Sequence, residues 1–291
     1  MNAPDPVSCI LDCGGRPLDL SRPRVMGVLN VTPDSFSDGG AFNSVERACE
    51  RALAMEAEGA AIIDIGGEST RPGAAPVSEA EELDRVLPVI EALQSRLSVP
   101  ISIDTRKPGV MRAAVAAGAG LINDVGALRA PGALEAAAEC GVPVCLMHMR
   151  GEPGTMQRDP RYDDVVAEVR DFLAARVAAC EAAGIPRARL LLDPGFGFGK
   201  NDDHNLRLLA GLEAIAALGL PVLAGLSRKS MIGRLLGLEV GERLVPSVAL
   251  ALMAVERGAR LVRAHDVAPT CQVLRLYCEM TARAGAARAS D

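Results

Sequence analysis

The chain has 291 residues, 49% of them apolar, yet it contains only five Phe, two Tyr, three His and no Trp. Its 31 basic and 37 acidic residues give a formal net charge of −6. These values argue against a basic or aromatic surface for nucleic acid, and against a metal centre built from several His side chains.

The first predicted element is a short β-hairpin in residues 9–20, which turns at Gly14 and Gly15. After it, short apolar runs alternate with segments rich in Ala, Leu, Glu and Arg. The runs are continuously apolar, which is typical of strands in a parallel sheet that is covered on both faces. The predicted strands are 25–30, 61–66, 100–104, 120–125, 143–148, 189–195, 221–227 and 260–266.

A helical segment follows each strand. Ser78 and Glu81 form a capping-box pattern at one helix start. The predicted helices are 44–58, 78–96, 109–117, 130–139, 163–183, 203–217, 231–256 with a break near 237–241, and 267–283. Glycines that mark helix ends are Gly59, Gly118, Gly141, Gly184, Gly219 and Gly258.

Eight βα units without a linker or a composition break predict an α/β fold, a (β/α)8 TIM barrel. We expect a single domain over 1–291, with the barrel over about 24–283. Residues 1–23 are the N-terminal hairpin extension, which is predicted to plug the bottom of the barrel. An open doubly wound sheet is the alternative architecture.

The sequence also bears on the compartment. Eight Cys occur without a CxxC pair, several of them in apolar stretches, so we expect buried, reduced thiols. The N-terminus lacks the basic and apolar regions of a signal peptide. The longest apolar runs, 113–122 and 245–255, fall short of the ~18 residues that span a bilayer. A soluble, cytoplasmic protein with no membrane or nucleic-acid partner is predicted.

Polar residues follow the apolar runs where the predicted strands end. In a TIM barrel the active site forms at these carboxyl ends. One such residue could be a helix cap or a buried, hydrogen-bonded group, but so many together favour a functional site. The strand-end residues are Asn30, Asp64, Asp104, Asn123, His148, Asp193, Ser227, Arg263 and His265.

The mixture of side chains indicates what this site binds. Asp104, Asn123 and Asp193 offer acceptors and one amide, which suit the edge of a flat, donor-rich heterocycle. Cationic and hydroxyl donors suit phosphate, and here they are Thr70, Arg71, Lys229, Arg263 and His265. Each residue alone has an ordinary alternative, such as a surface ion pair for Arg263, but their convergence favours binding.

Two long loops follow the first two barrel strands. Residues 30–40 (NVTPDSFSDGG) and 66–78 (GGESTRPGAAPVS) show no helical pattern. Loops of this length usually act as lids or binding loops, although a plain connection is the alternative. Phe36 and Arg71 are unusual choices for an inert connection, so both loops are predicted to contact ligand.

Two further loops carry glycine and basic residues. Residues 193–201 (DPGFGFGKN) fit neither glycine-rich nucleotide pattern, so we reject nucleotide binding there. In 225–230 (GLSRKS), backbone N–H groups with Arg228 and Lys229 are expected to hold an anion or a carbonyl oxygen. Most of the Phe rings are expected at the barrel mouth, namely Phe36, Phe42, Phe196 and Phe198.

Eight segments match one enzyme family in order. They are MGVLNVTPDSFSDGG (26–40), GGESTRPGA (66–74), ISIDTRKP (101–108), INDV (122–125), MHMRGEPGTMQ (147–157), DPGFGFGK (193–200), GLSRKS (225–230) and RAHDV (263–267). The chain therefore resembles the dihydropteroate synthases of the folate pathway. The resemblance implies that 6-hydroxymethyl-7,8-dihydropterin pyrophosphate condenses with 4-aminobenzoate to give 7,8-dihydropteroate and pyrophosphate.

The resemblance also implies roles for individual residues. The implied catalytic residues are Asp104, Asp193, Lys229 and Arg263, and the implied pterin-binding residues are these four with Asn123. The implied pyrophosphate pocket consists of Asn30, Thr70, Arg71, Arg263 and His265. The implied 4-aminobenzoate pocket, which sulfonamides occupy in this family, consists of Phe36, Pro72, Phe198, Lys229 and Ser230.

Two further features follow from the resemblance. Mg²⁺ is implied as the cofactor, with Asn30 as its protein ligand. A homodimer is implied as the assembly, and the Ala- and Leu-rich helices near 242–256 and 267–282 are its expected face. The alternative is that these helices only pack on the barrel.

Elementary chemistry agrees with this reaction. Pyrophosphate leaves readily when Mg²⁺, Arg and His offset its charge, and an electron-rich dihydropterin stabilises the resulting exocyclic cation. A neutral arylamine is already nucleophilic, so dissociative substitution without an activated Ser, Cys or Lys is predicted. The alternatives are a methyltetrahydrofolate-binding methyltransferase domain, a non-catalytic pterin-binding paralogue, and a phosphate-binding barrel isomerase or aldolase.

Overall fold

The computed structural model describes residues 9–32, 40–68, 77–152 and 154–288, with the side chains of 40–43 and 285–288 excepted. The strands are β1 (Ile10–Cys13), β2 (Arg16–Asp19), β3 (Arg24–Asn30), β4 (Ile62–Gly66), β5 (Ile101–Asp104), β6 (Leu121–Asp124), β7 (Val144–Met147), β8 (Leu190–Asp193), β9 (Val222–Ala224) and β10 (Ala259–Ala264). The helices are α1 (Gly40–Ala57), α2 (Glu79–Gln94), α3 (Pro108–Ala116), α4 (Ala133–Cys140), α5 (Val165–Ala182), α6 (Asp202–Ala210), α7 (Glu213–Ala216), α8 (Ser230–Leu236), α9 (Leu244–Glu256) and α10 (Val267–Arg288).

Strands β3 to β10 form a closed parallel barrel in sequential order. The barrel closes where β10 pairs with β3, with Arg263 opposite Met26. The predicted (β/α)8 barrel is therefore confirmed, and the open doubly wound sheet is wrong. Among the described helices, none is both long and apolar enough to cross a membrane.

All eight predicted barrel strands are present, and most helix boundaries agree within a few residues. The predicted helix 203–217 is split into α6 and α7, and the predicted break near 237–241 is a short 3-10 turn between α8 and α9. Ser78 and Glu81 form the predicted capping box at the start of α2. Each of the six glycines predicted to end a helix has a positive φ angle.

The N-terminal hairpin closes the bottom of the barrel, as predicted. It turns at Gly14 and Gly15, with φ angles of +65° and +84°. Its apolar residues, which are Leu11, Cys13, Leu18 and the adjoining Leu20, pack beneath the barrel interior. Gly120, which precedes β6, lies so close to the Cys13 carbonyl oxygen that a Cβ atom would collide with it. The sequence therefore needs glycine where the hairpin meets the barrel.

Side chains alternate between two environments along each strand, as the pleat requires. Ile63 and Ile65 of β4 face the helices and join the large outer core. Ile62 faces the barrel interior, where it belongs to a layer that we call the lower ring. The lower ring consists of Met26, Ile62, Leu121, Cys145, Leu191, Leu223 and Leu261.

A second interior layer lies nearer the carboxyl ends of the strands. Two residues beyond a lower-ring residue on β4, β6, β8 and β10, the inward side chain is polar rather than apolar. We call this layer the upper ring, and it consists of Asp64, Ser102, Asp104, Asn123, Asp193 and Arg263. The barrel thus has an apolar floor that supports a charged upper layer.

Candidate functional site

The upper ring is organised around one guanidinium group. Arg263 on β10 donates from Nε to Asp64 Oδ2 at 2.6 Å and from Nη2 to Asp104 Oδ2 at 2.8 Å. Because β4 and β5 do not neighbour β10 in the barrel, these ion pairs cross its interior. Burial opposes the charge of Arg263, but Asp64 and Asp104 together raise its pKa above the ordinary value. The guanidinium is therefore a fixed cation at the barrel mouth.

Asp64 lies deepest in this network and is fully buried. It accepts hydrogen bonds from Ser102 Oγ at 2.6 Å and from Asn123 Nδ2 at 3.1 Å, in addition to the ion pair with Arg263. Three donors thus surround a single carboxylate, as a buried charge requires.

Asp104 and Asp193 border the open side of the upper ring. Burial raises the pKa of Asp104, and the charge of Arg263 opposes that rise. Burial likewise raises the pKa of Asp193 to about 6, although a 2.7 Å hydrogen bond from the Gly195 amide favours its ionised form. Both carboxyl groups are fixed acceptors with perturbed acidity, a combination typical of functional sites.

Lys229 supplies a second cation at the mouth. Its Nζ lies 4.3 Å from the centre of the Phe198 ring, and its side chain makes no hydrogen bond or ion pair within the described part of the chain. Burial and repulsion from Arg263 lower the pKa of Lys229 to about 8. An ammonium group that has no acceptor among the described residues is suited to bind a ligand.

His265 and Asn30 occupy the side of the mouth formed by β10 and β3. His265 is half-buried, and its Nδ1 lies 3.0 Å from Ser227 Oγ, which also accepts from the His265 backbone amide. Burial and the charge of Arg263 lower the pKa of His265 to about 4, so the ring is neutral near pH 7.

Asn30, at the end of β3, is the predicted ligand of Mg²⁺. Among the described residues, no group of three or more His, Cys, Asp or Glu could hold a metal ion. Mg²⁺ nevertheless often binds through very few protein oxygens, with water and substrate phosphates completing the shell. The half-buried Asn30 amide fits that arrangement, because no hydrogen bond of its side chain occurs within the described ranges.

Several predicted site residues lie elsewhere. Ser230, the first residue of α8, is exposed and adjoins Lys229. Four predicted residues lie outside the described residues, namely Phe36, Thr70, Arg71 and Pro72. The start of that second loop is held in place, since Lys107 Nζ lies 2.6 Å from Glu68 and also pairs with Glu82 of α2.

Three expectations about individual side chains need correction. Arg228, expected to hold an anion, pairs through its Nε and Nη2 with the Asp266 carboxylate, at 2.9 and 2.6 Å, and this carboxylate offsets its charge. Phe196 does not face the mouth, because it is packed into the outer core with 1% exposure. His148, one of the strand-end residues, serves the structure rather than the mouth: its ring packs edge-on against Phe172 at 4.8 Å.

The buried side chain of Lys200 holds together the glycine-rich segment that precedes α6. Its buried Nζ lies 2.9 Å from His148 Nδ1 and donates to the carbonyl oxygens of Gly195 and Phe198 at 2.9 and 3.1 Å. Gly195 must be glycine, because a Cβ there would collide with the His148 carbonyl oxygen. The lysine thus shapes the loop from inside, in agreement with the rejection of a nucleotide-binding role.

Sequence reasoning overlooked Asp64, Ser102 and Lys200 as parts of the site. Asp64 stood among the strand-end residues, but no role was predicted for it. The usable signal is the period of two along a strand, because Asp64 follows the inward residue Ile62 at the same spacing at which Arg263 follows Leu261.

The family model described as "Pterin binding enzyme" matches residues 26–265. The dihydropteroate synthase of Escherichia coli strain K12 is 57% identical over 262 residues, which cover 90% of this chain and 93% of that protein.

Solved structures give the same result. Xanthomonas albilineans dihydropteroate synthase with 4-aminobenzoic acid is 58% identical with a TM-score of 0.90, over 94% of this chain and 99% of that chain. The same coverage holds for the X. albilineans enzyme in complex with 7,8-dihydropteroate, at 55% identity and a TM-score of 0.86. It also holds for the Yersinia pestis enzyme in a sulfonamide drug complex, at 53% identity and a TM-score of 0.90.

Proposed function

The chain belongs to the dihydropteroate synthase family of pterin-binding enzymes and is a transferase, and from this premise we propose how its barrel mouth performs the reaction. The substrates are 6-hydroxymethyl-7,8-dihydropterin pyrophosphate and 4-aminobenzoate, and the products are 7,8-dihydropteroate and pyrophosphate. The observation that carries the proposal is the upper ring itself, in which two carboxylates hold one guanidinium, with Lys229 beside it against the Phe198 ring.

The pterin binds with its donor-rich edge toward the acceptors of the upper ring. Asp193, Asp104 and Asn123 receive its N–H groups, since each is buried at a strand end and keeps acceptor capacity toward the mouth. The guanidinium of Arg263 is held in one orientation by two carboxylates, which suits it to stack on the flat ring system.

Substitution begins with heterolysis of the C–O bond between the exocyclic methylene group and pyrophosphate. The electron pair of that bond leaves with pyrophosphate, whose charge is offset by Arg263 and Lys229, while the neutral imidazole of His265 supplies a hydrogen bond. The exocyclic cation that remains lies near the carboxylates of Asp104 and Asp193, which provide a fixed negative potential. Thr70 and Arg71 are proposed to complete the pyrophosphate pocket.

Asn30 would hold Mg²⁺ together with the phosphate oxygens of the substrate, and the metal would offset leaving-group charge when bound. Asn30→Ala is expected to weaken binding of inorganic pyrophosphate in Mg²⁺ buffer by calorimetry, but not in buffer containing a chelator. Equal weakening in both buffers would contradict the assignment of Asn30 as a metal ligand.

The arylamine then attacks the exocyclic carbon, forms the C–N bond and releases one proton to solvent. We place 4-aminobenzoate against Phe198, with Lys229 and Ser230 near its carboxylate, and with Phe36 and Pro72 from the two long loops closing the pocket. The ring of Phe198 and the ammonium of Lys229 already lie in contact. Sulfonamides are expected to compete for this pocket.

One assay tests the activity. The wild-type chain, with Mg²⁺, should form 7,8-dihydropteroate when both the pterin pyrophosphate and 4-aminobenzoate are present, and should release at least an equal amount of pyrophosphate. An absence of dihydropteroate would overturn the proposed function.

A second assay tests the dissociative order of events. Substrate labelled with ¹⁸O in the bridging C–O–P position should scramble its label into non-bridging positions in the absence of 4-aminobenzoate. Scrambling that requires the arylamine under all conditions would instead show that the nucleophile takes part in C–O cleavage.

We further propose that two copies of the chain pair through α9 and α10. These helices contact each other and expose Val245 and Leu276, which are 76% and 71% accessible. Exposed apolar side chains on neighbouring helices are typical of a subunit interface. In analytical ultracentrifugation, the wild-type chain is expected to sediment as a dimer and Val245→Glu as a monomer. A wild-type chain that sediments as a monomer would refute the pairing.

A further inference from the structure

Asp64 is the buried residue for which the reaction described above has no use. Its carboxylate is fully buried and lies beneath the ligand-binding side chains instead of among them. It nevertheless contacts two of them, since Arg263 Nε donates to it at 2.6 Å and Asn123 Nδ2 donates to it at 3.1 Å. A structural ion pair would need only the first of these contacts.

The second contact determines which way the Asn123 amide faces. An ionised carboxylate can only accept hydrogen bonds, so the amide atom beside Asp64 must be nitrogen. The Asn123 Oδ1 is therefore on the opposite side. It accepts no hydrogen bond within the described residues, yet it is not among their buried polar atoms that lack a partner. The oxygen consequently faces the open mouth as an acceptor.

Arg263 is constrained in the same way. Its Nε and Nη2 are occupied by Asp64 and Asp104, so the guanidinium plane is fixed by two bonds from different strands. Ser102 completes the arrangement by donating to the other oxygen of Asp64 at 2.6 Å, which prevents the carboxylate from rotating. One side chain thus sets the orientation of both a cation and an amide.

We propose that Asp64 is a positioning residue that sets the hydrogen-bonding polarity of the pterin pocket, by turning the Asn123 oxygen toward the ligand and fixing the plane of Arg263. The inference rests on the proposed function and deepens it: the pocket selects heterocycles whose edge donates hydrogen bonds. It assigns ligand selectivity to a residue that does not touch the ligand.

Truncating the carboxylate makes this argument testable. Asp64→Ala removes the oxygen that accepts from both Arg263 Nε and Asn123 Nδ2. The Asn123 amide can then turn its NH2 group toward the mouth, and the guanidinium keeps its bond to Asp104 alone. The pocket loses its fixed acceptor for the donors of the pterin.

The amide isostere keeps the polarity. In Asp64→Asn, the side-chain oxygen stays with Arg263 and Asn123, which share one oxygen of Asp64 in the wild type. The new NH2 group faces Ser102 Oγ, which can accept from it. We expect Asp64→Ala to raise the KM for the pterin pyrophosphate at least about thirtyfold, and Asp64→Asn to lie within about fivefold of wild type.

The matched control is Asp124→Ala. Asp124 is also fully buried, but among the described residues it accepts from the backbone amides of Gly126 and Leu128, at 2.6 and 2.7 Å, behind the barrel wall. This variant is expected to lower the Tm while leaving both KM values within about twofold of wild type. For Asp64→Ala, the KM for 4-aminobenzoate should likewise stay within about twofold, which a general loss of structure would not produce.

The outcomes separate the claims. A wild-type chain that makes no dihydropteroate refutes the proposed function, whereas an active wild type with an unchanged pterin KM in Asp64→Ala refutes the role of Asp64. An equal rise of both KM values also refutes it. If Asp64→Ala does not fold, Asp64→Leu takes its place, because leucine fills the space but has no acceptor: a rise confined to the pterin KM supports the proposal, and any other result overturns it.

Discussion

The lower and upper rings of the barrel interior are built on the same strands, two residues apart, yet they have opposite chemistry. The lower ring is aliphatic apart from one thiol, and the hairpin seals it from below. The upper ring places two carboxylates on one guanidinium at nearly full burial. Burial of apolar surface stabilises the fold, whereas burial of ionised groups costs desolvation energy that their pairing only partly offsets.

This difference teaches that stability and binding are separated along the barrel axis. The lower ring and the helix-packed core hold the strands in register, so the upper ring can keep charges that would not be stable by themselves. If this view is right, variants in the two rings should have separable consequences for folding and for turnover.

The largest expected effect is on turnover, from Asp193→Asn in the upper ring. Replacing this fixed carboxylate with an amide should lower kcat/KM by about a hundredfold to a thousandfold, because an acceptor for the pterin becomes partly a donor. Steady-state kinetics and calorimetry with the pterin pyrophosphate measure the loss. Unchanged pterin affinity would count against the assignment of Asp193.

The matching change in the lower ring is Leu191→Ala, two residues earlier on β8. Leu191 is completely buried, and its truncation should lower the free energy of unfolding by about 2–5 kcal/mol through lost burial and a cavity. Denaturant unfolding gives this value, and kcat/KM at a temperature where the variant is folded should equal that of wild type. A large loss of turnover in the folded variant would break the separation of the two rings.

The pH dependence of pterin binding gives a further test of the upper ring. Because burial raises the pKa of Asp193 to about 6, the carboxylate is lost below that pH, and the KM for the pterin pyrophosphate should rise roughly tenfold for each further pH unit. Asp193→Asn should abolish this dependence, which separates it from titration of the substrate phosphates. A pH profile that is identical in both proteins would assign the titration elsewhere.

The same raised pKa predicts an opposite trend for stability. A folded-state pKa above the unfolded value means that this carboxyl group favours the folded state below about pH 4, and that the contribution is lost as the pH rises through about 6. Asp193→Asn should therefore be more stable than wild type at pH 8 and equally stable at pH 4. Thermal unfolding at the two pH values checks this.

The smallest expected effect is from Phe198→Ala at the edge of the mouth. The Phe198 ring centre lies 4.3 Å from Lys229 Nζ, and the ring is proposed to line the 4-aminobenzoate pocket. Its loss should therefore raise the KM for 4-aminobenzoate about three- to tenfold. The KM for the pterin pyrophosphate should not change, since Phe198 does not belong to the upper ring. Equal change in both values would contradict the proposed division between the pockets.

Much of this architecture could be predicted from the sequence. Continuous apolar runs marked the eight strands, and their polar ends marked where Asp104, Asn123 and Asp193 would lie, because a parallel barrel brings all strand ends together. The alternation of side chains along a strand also predicts that Asp64 points into the barrel, because it lies two residues after the inward-facing Ile62.

The remaining features depend on contacts between distant parts of the chain. The role of Asp64 is invisible locally, because its partner Arg263 is 199 residues away. Phe196 and Phe198 are alternate residues of one glycine-rich loop, and only the folded loop reveals that the first is buried in the core. Lys200 resembles a ligand-binding lysine in sequence, but the carbonyl oxygens that turn it inward are arranged by the backbone of the loop.

Closure of the barrel by β10 has a consequence for how the protein is made. Arg263 sits on the last strand, which pairs with β3 near the beginning of the chain. During synthesis, Asp64 and Asp104 are made long before Arg263, so until β10 is complete their carboxylates lack the guanidinium that pairs with them. Domains tend to fold from the N-terminus during synthesis, but this site can be completed only at the end. Ligand binding therefore requires a chain that extends at least through β10, and a chain that ends before Arg263 lacks the cation of the site.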